Sequence, residues 1–137
     1  MTYHRPNMLI NFGRYFIIIV ILHAIFVAVF QSGRTNSSSL LPPFVFACVM
    51  TYINRPTEKL WYVRNKDALI SSMKSALINR YDAADQTENY IYFRPASFWM
   101  LIADPVFLEI KADQVIAKGA NATISGLENQ MRKLGVI

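Results

Sequence analysis

Hydrophobic positions along this chain follow two regimes. Up to residue 53 they come in unbroken runs, and beyond it they recur at the spacing of amphipathic helices and strands. The first run, Tyr15 to Phe30, reads YFIIIVILHAIFVAVF and carries no charge over sixteen residues. As a helix it would measure about 24 Å, short of a hydrocarbon core of about 30 Å. Leu9 to Phe12 lengthen it if the Arg14 side chain reaches back toward the headgroups. A helix apolar on every face needs lipid, or the centre of a large core, around it. In so small a chain the first is expected. The residues that follow, VAVFQSG, hold no small-x-small cleavage pattern, so the run reads as a retained anchor.

A Ser-rich linker, QSGRTNSSS, separates this run from a second, Leu40 to Ile53. Pro42 and Pro43 suit the first turn of a helix there. From Pro42 that helix would measure about 18 Å, so it crosses a bilayer only by borrowing flanking residues, or else re-enters or lies at the interface. The expected anchor is thus a helical hairpin of two short transmembrane segments over residues 1–53, about 15–30 and 40–53.

Residues 54–137 read as a small α+β domain. Asn65 can cap a helix over about 66–81, with Leu69, Ile70, Met73, Leu77 and Tyr81 on one face. A polar turn is expected from Asp82 to Glu88, and a strand from Tyr90 to Arg94 ended by Pro95. Residues 96–103, ASFWMLIA, fit either a short helix or a strand. Val106 to Lys111 alternates, with Val106, Leu108 and Ile110 on one face, and pairs as a hairpin with Gln114 to Lys118. A closing helix over about 123–134 presents Ile124, Leu127, Met131 and Leu134, with Asn121, Thr123 or Ser125 as its cap and Gly135 after its end. The fold class expected is membrane-anchored α+β: an antiparallel sheet with two packing helices.

Charge sharpens the division. The first 53 residues hold Arg5, Arg14 and Arg34 and no acid, while all nine acids lie beyond. The net charge of +5 is therefore no stripe on a folded face, which argues against nucleic acid as a partner. Basic flanks instead set orientation: Arg5 and Arg14 before the first run, and Arg55, Lys59, Arg64 and Lys66 after the second, place both the N-terminus and the domain in the cytoplasm, or the domain on the other side if the second run does not cross. Arg14, Arg55, Lys59 and Arg64, with the aromatic pair Trp61 and Tyr62, are the candidate membrane-interface residues.

Candidate chemistry is sparse. His4 and His23 are the two histidines, and His23 is the polar side chain inside the first run, where a neutral imidazole bonded to the facing helix is expected. Histidine-dependent hydrolase and zinc sites are thereby excluded from residues 54–137. Cys48 has no partner cysteine and sits in an apolar run. Asp82, Asp85 and Glu88 cluster at spacing three, but a calcium loop needs more oxygens and a defined glycine, so a solvated turn is expected. The YIYFR strand resembles in five residues the stacking strand of RNA-recognition domains. Without that motif's glycine and second basic residue, its aromatics are expected to face the domain's own core. No catalytic, cofactor or metal residues are assigned. The expected function is a non-enzymatic accessory or regulatory membrane protein of a bacterial-type inner membrane, with lipids and other membrane proteins or copies of itself as partners. A lipid-binding protein is the alternative, and a membrane enzyme is the third choice.

Overall fold

A computed structural model describes residues 7–30 and 40–137. They form two compact units, one spanning the N-terminal apolar helices and one spanning residues 54–137.

In the first unit, helix α1 runs Met8–Phe30, 23 residues. The Asn7 side chain accepts from the Leu9 amide at 2.9 Å, which satisfies one of the free donors of the first turn. At about 34 Å, α1 is longer than the uncharged run alone and long enough to cross a membrane. Its buried residues are Asn11, Tyr15 and Val27, while Ile17, Ile21, Leu22, Ile25 and Val29 face outward. A core helix of a water-soluble protein would have those side chains covered.

Helix α2, Leu41–Ile53, has 13 residues, with Pro42 and Pro43 in its first turn as expected. At about 20 Å it is too short for a transmembrane segment, so a two-span anchor is not supported. The expected hairpin also differs in arrangement. A tight return would set the start of α2 beside the end of α1. Instead the Phe44 ring packs edge-on against Phe12 at 5.6 Å and Phe16 at 6.3 Å, beside the N-terminal half of α1. One face of α2, Pro43, Ala47 and Thr51, is buried, and the Thr51 hydroxyl donates to the Ala47 carbonyl at 2.7 Å.

The second unit is a five-stranded antiparallel sheet with two helices on one face. The strands are β1 (Pro56–Tyr62), β2 (Tyr81–Gln86), β3 (Tyr90–Pro95), β4 (Val106–Ile110) and β5 (Gln114–Ala120), in spatial order β1-β5-β4-β3-β2. The expected β4–β5 hairpin is present, with Ile110 opposite Val115. Two strands were not expected. Residues 54–62 read as a polar junction and an aromatic anchor, yet β1 pairs along its whole length with β5, from Pro56 opposite Ala120 to Tyr62 opposite Gln114. The expected turn from Asp82 is strand β2 as far as Gln86. Its residues are poor strand formers, held by pairing with β3 through a bulge between Ala83 and Asp85. Both are edge strands, and their charges and the bulge discourage further pairing.

Helix α3 (Lys66–Leu77) carries the chain from one sheet edge to the other. Asn65, extended at φ −142°, accepts from the Ala68 amide at 3.1 Å, the expected cap. The helix ends four residues before the expected boundary. Arg80 closes a turn onto the Leu77 carbonyl, and Tyr81 opens β2 with its hydroxyl donating to the Asp104 carbonyl. Helix α4 (Asn121–Lys133) has no side-chain cap; Ser125 lies inside it, and the Asn121 amide donates to the Arg55 carbonyl. Its end matches the expectation. Gly135 takes φ 69°, its amide donates to the Arg132 carbonyl, and the Val136 amide reaches Met131. That six-to-one closure needs a left-handed residue at 135.

Leu69, Met73 and Leu77 of α3 and Ile124, Leu127 and Met131 of α4 pack on Ile91, Phe93, Val106, Leu108, Val115 and Ala117 of the sheet. Trp61 completes this core at 3% exposure. Gly119 is tight: a Cβ there would lie 3.2 Å from Ile124 Cδ1 and 3.3 Å from the Pro105 carbonyl oxygen.

Candidate interaction surface

The period of two along each strand sends alternate residues to the face that α3 and α4 leave uncovered. From β1 come Glu58, Leu60 and Tyr62, from β5 Gln114, Ile116 and Lys118, and from β4 Phe107 and Glu109. Tyr90, Tyr92 and Arg94 follow from β3, with Asp82 and Asp85 from β2. The aromatic strand β3 is therefore divided. Ile91 and Phe93 enter the core as expected, whereas Tyr90 and Tyr92 stand on the open face.

At the middle of this face Lys118 is the hub. Its Nζ donates to Glu109 Oε2 at 3.1 Å, lies 4.0 Å from Glu58 Oε1, and sits 5.9 Å from the centre of the Phe107 ring. Tyr90 stacks on Phe107 with centroids 5.4 Å apart, which explains why Phe107 is buried on a face without helices. The Tyr90 hydroxyl donates to Asp85 Oδ2 at 2.9 Å. That hydrogen bond, then burial and the nearby carboxylate charge, raises the phenol above its ordinary pKa. These polar groups are matched to one another. Toward the far end of β1 the face is apolar: Leu60 is 47% exposed and stands opposite Ile116, and Tyr62 is 67% exposed.

Those of the sequence-proposed membrane-interface residues that lie in the domain do not form one patch. Trp61 is in the core, with its Nε1 buried and lacking a hydrogen-bond partner among the described residues, so it is no interfacial ring. Lys59 points to the helix-covered face, where its Nζ meets Glu128 Oε2 at 2.6 Å and Ser125 Oγ at 3.3 Å. Arg55 and Arg64 flank opposite ends of β1, separated by at least about 20 Å of extended strand. Of the set, Tyr62 is exposed on the open face. Arg14 lies within α1, its guanidinium 5.0 Å from the Tyr15 ring centre. His23 is half-buried; its Nε2 has no partner among the described residues, so the expected hydrogen bond to a facing helix is not made there.

The Lys59–Glu128 contact carries a pH dependence. Hydrogen bonds from Lys59 and then Arg132 hold the Glu128 carboxyl below its usual range. A carboxyl depressed in the folded state stabilises above its unfolded pKa, and that contribution is lost as pH falls through the folded value. Lys59→Met is therefore expected to lower stability at neutral pH and to flatten its decline below about pH 4, the ordinary carboxylate range. Thermal melting between neutral and acidic pH reads this out; parallel curves for parent and variant would refute it.

Among the described residues no group of three or more His, Cys, Asp or Glu side chains is placed to hold a metal. Asp82 and Asp85 stand on β2 and Glu88 in the following turn. No protein-family model matches the chain, and comparison with curated proteins and with solved structures likewise finds no match.

Proposed function

We propose that this protein is a membrane-anchored interaction module, in which α1 holds the α+β domain at a membrane surface and the open sheet face binds a subunit of a larger membrane complex. The observation that carries this reading is the one-sided sheet. Helices cover one face, and the other ends in exposed Leu60 and Tyr62 beside Ile116. Aromatic and aliphatic side chains of this kind, rimmed by charge, are the usual centre of a protein–protein contact. A non-enzymatic role fits a face whose lysine, carboxylates and tyrosine are engaged with one another.

The distribution of charge supports one side of the membrane for the domain. With α1 as the single crossing, Arg5 and Arg14 weigh against Arg34, Arg55, Lys59 and Arg64. The larger basic group draws the domain to the cytoplasmic side of a bacterial-type inner membrane and leaves the N-terminus opposite. Direct lipid binding through Arg55, Lys59 and Arg64 is the weaker reading, because β1 separates the arginines and Glu128 engages the lysine.

Affinity purification of a C-terminally tagged copy from native membranes in mild detergent tests the proposal. A stoichiometric membrane partner is expected with the parent protein. With Leu60→Glu and Tyr62→Asp combined, recovery is expected to fall by about tenfold or more, since two central contacts of at least 1 kcal/mol each are removed. Recovery unchanged by the double substitution would move the contact off this face, and a partnerless parent would reject the reading altogether.

A further inference from the structure

The connection between β3 and β4 is unlike the rest of the domain surface. From Ala96 to Ala103 it carries no charge, and it turns large apolar side chains outward: Phe98 is 72% exposed, Leu101 61% and Met100 50%. Ile78, just before the Arg80 turn, is equally exposed. Solitary exposed apolar residues are ordinary, but a consecutive run of them on a small domain marks a surface that is covered in use.

The segment is built, not loose. The amides of Met100, Ile102 and Ala103 donate to Ala96, Trp99 and Trp99 at 3.1, 3.1 and 2.8 Å, closing a short 3-10 turn. The Ala96 amide fastens its base to the Arg80 carbonyl at 2.8 Å. With the amides of Met100, Ile102 and Ala103 bonded within it, the turn enters an apolar medium at lower cost than an open loop. Phe98 and Trp99 meet edge-to-face at 5.7 Å, and the Arg80 guanidinium lies 5.0 Å from the Trp99 ring centre. No carboxylate among the described residues pairs with Arg80. Amphipathic aromatic rings beside a cation open to phosphate are the side-chain set of the headgroup region.

Register fixes where the turn sits. Pro56 stands opposite Ala120, Phe107 opposite Lys118, Phe93 opposite Val106, and Tyr81 opposite Pro95. The start of β1, the end of β5, the start of β4, the end of β3 and the start of β2 therefore share one end of the sheet. The 96–103 turn leaves from that end. It is also where the chain arrives in the sheet, one residue beyond Arg55 and three beyond the last residue of α2. The apolar turn and the tether to the apolar helices thus belong to the same end of the domain.

We propose that residues 96–103 form a shallow second membrane contact, in which Phe98, Trp99, Met100 and Leu101 insert at the headgroup–acyl boundary of the bilayer holding α1 and Arg80 meets lipid phosphate. This rests on α1 as the anchor but not on any protein partner. The contact would fix the tilt of the domain and so the direction in which its open face looks.

The test uses the full chain with Trp61→Phe, which leaves Trp99 as the only tryptophan, reconstituted at high dilution into phosphatidylcholine–phosphatidylglycerol vesicles. Trp99 emission is expected to be blue-shifted, shielded from aqueous iodide and quenched by lipids with a nitroxide near the headgroup. Phe98→Asp combined with Leu101→Asp is expected to restore iodide quenching while the protein still floats with the vesicles. Free access of iodide in the unsubstituted turn would overturn the proposal. Shielding without lipid quenching would also overturn it, and would point to a second copy covering the turn. Failure to float at all would reject the anchor itself, an outcome distinct from both. Should Trp61→Phe perturb the fold, Cys48→Ser with Ser97→Cys places a spin label in the turn, whose depth relative to oxygen and an aqueous relaxant must agree.

Discussion

Trp61→Ala is expected to remove about 3–5 kcal/mol from the stability of the C-terminal domain, whereas Trp61→Phe is expected to stay within about 1 kcal/mol of the parent. The indole is 3% exposed and belongs to the cluster under α3 and α4. Alanine opens a cavity on an edge strand that cannot easily collapse onto β5, since Trp61 stands opposite Val115 in a paired register. Phenylalanine loses less volume and also removes Nε1, a buried donor without a partner among the described residues. A buried unsatisfied N–H costs about 1–3 kcal/mol, which offsets the smaller cavity. Against a total of about 5–15 kcal/mol, the alanine variant would be marginal. Urea unfolding of the full-length protein in mild detergent, followed by near-UV dichroism, separates the two. Equal losses for alanine and phenylalanine would mean that ring volume is not what holds β1.

Arginine at both Ile17 and Ile21 is expected to release the protein from membranes. Both side chains face outward from α1, four residues apart on one stripe near its middle. Each arginine costs about 2.5–3.5 kcal/mol near the centre of a spanning helix, so the pair costs about 5–7. The variant should leave the carbonate-washed membrane pellet and appear in the cytosolic fraction, the side proposed above for the domain. Lysine-free polar controls on the buried side of α1, such as Tyr15→Gln, should be milder. A doubly substituted protein that stays in the washed pellet would show that α1 is not what holds it there.

The parts of the fold legible in the sequence were those whose pattern is local. Asn65 followed by Leu69, Met73 and Leu77 defines α3, and the alternation Val106, Leu108, Ile110 against Val115, Ala117 defines the β4–β5 hairpin. Strand β1 escaped because PTEKLWY mixes its faces: Lys59 is core-side but reaches Glu128 in α4, while Leu60 is apolar and exposed. Strand β2, YDAADQ, has no strand pattern and exists through β3. The bounds of the anchor were largely legible, but its second span is not supported. Arg14 sits inside a helix that continues past it to Met8, and α2 keeps only 13 residues. The open face was not legible, because its contacts join distant segments. Glu58 meets Lys118, and Phe107 meets Tyr90, only once the strand order is known.

The position of β1 has a further consequence for how the chain matures. It is the first strand made, yet its sole neighbour in the sheet is the last, with Pro56 paired to Ala120. Contacts so far apart in sequence are slow to close and lie late on the folding route. During synthesis α1 emerges well before β5 exists, so β1 waits as an unpaired edge. That interval, rather than the finished structure, is when this protein is most exposed to pairing with the wrong chain.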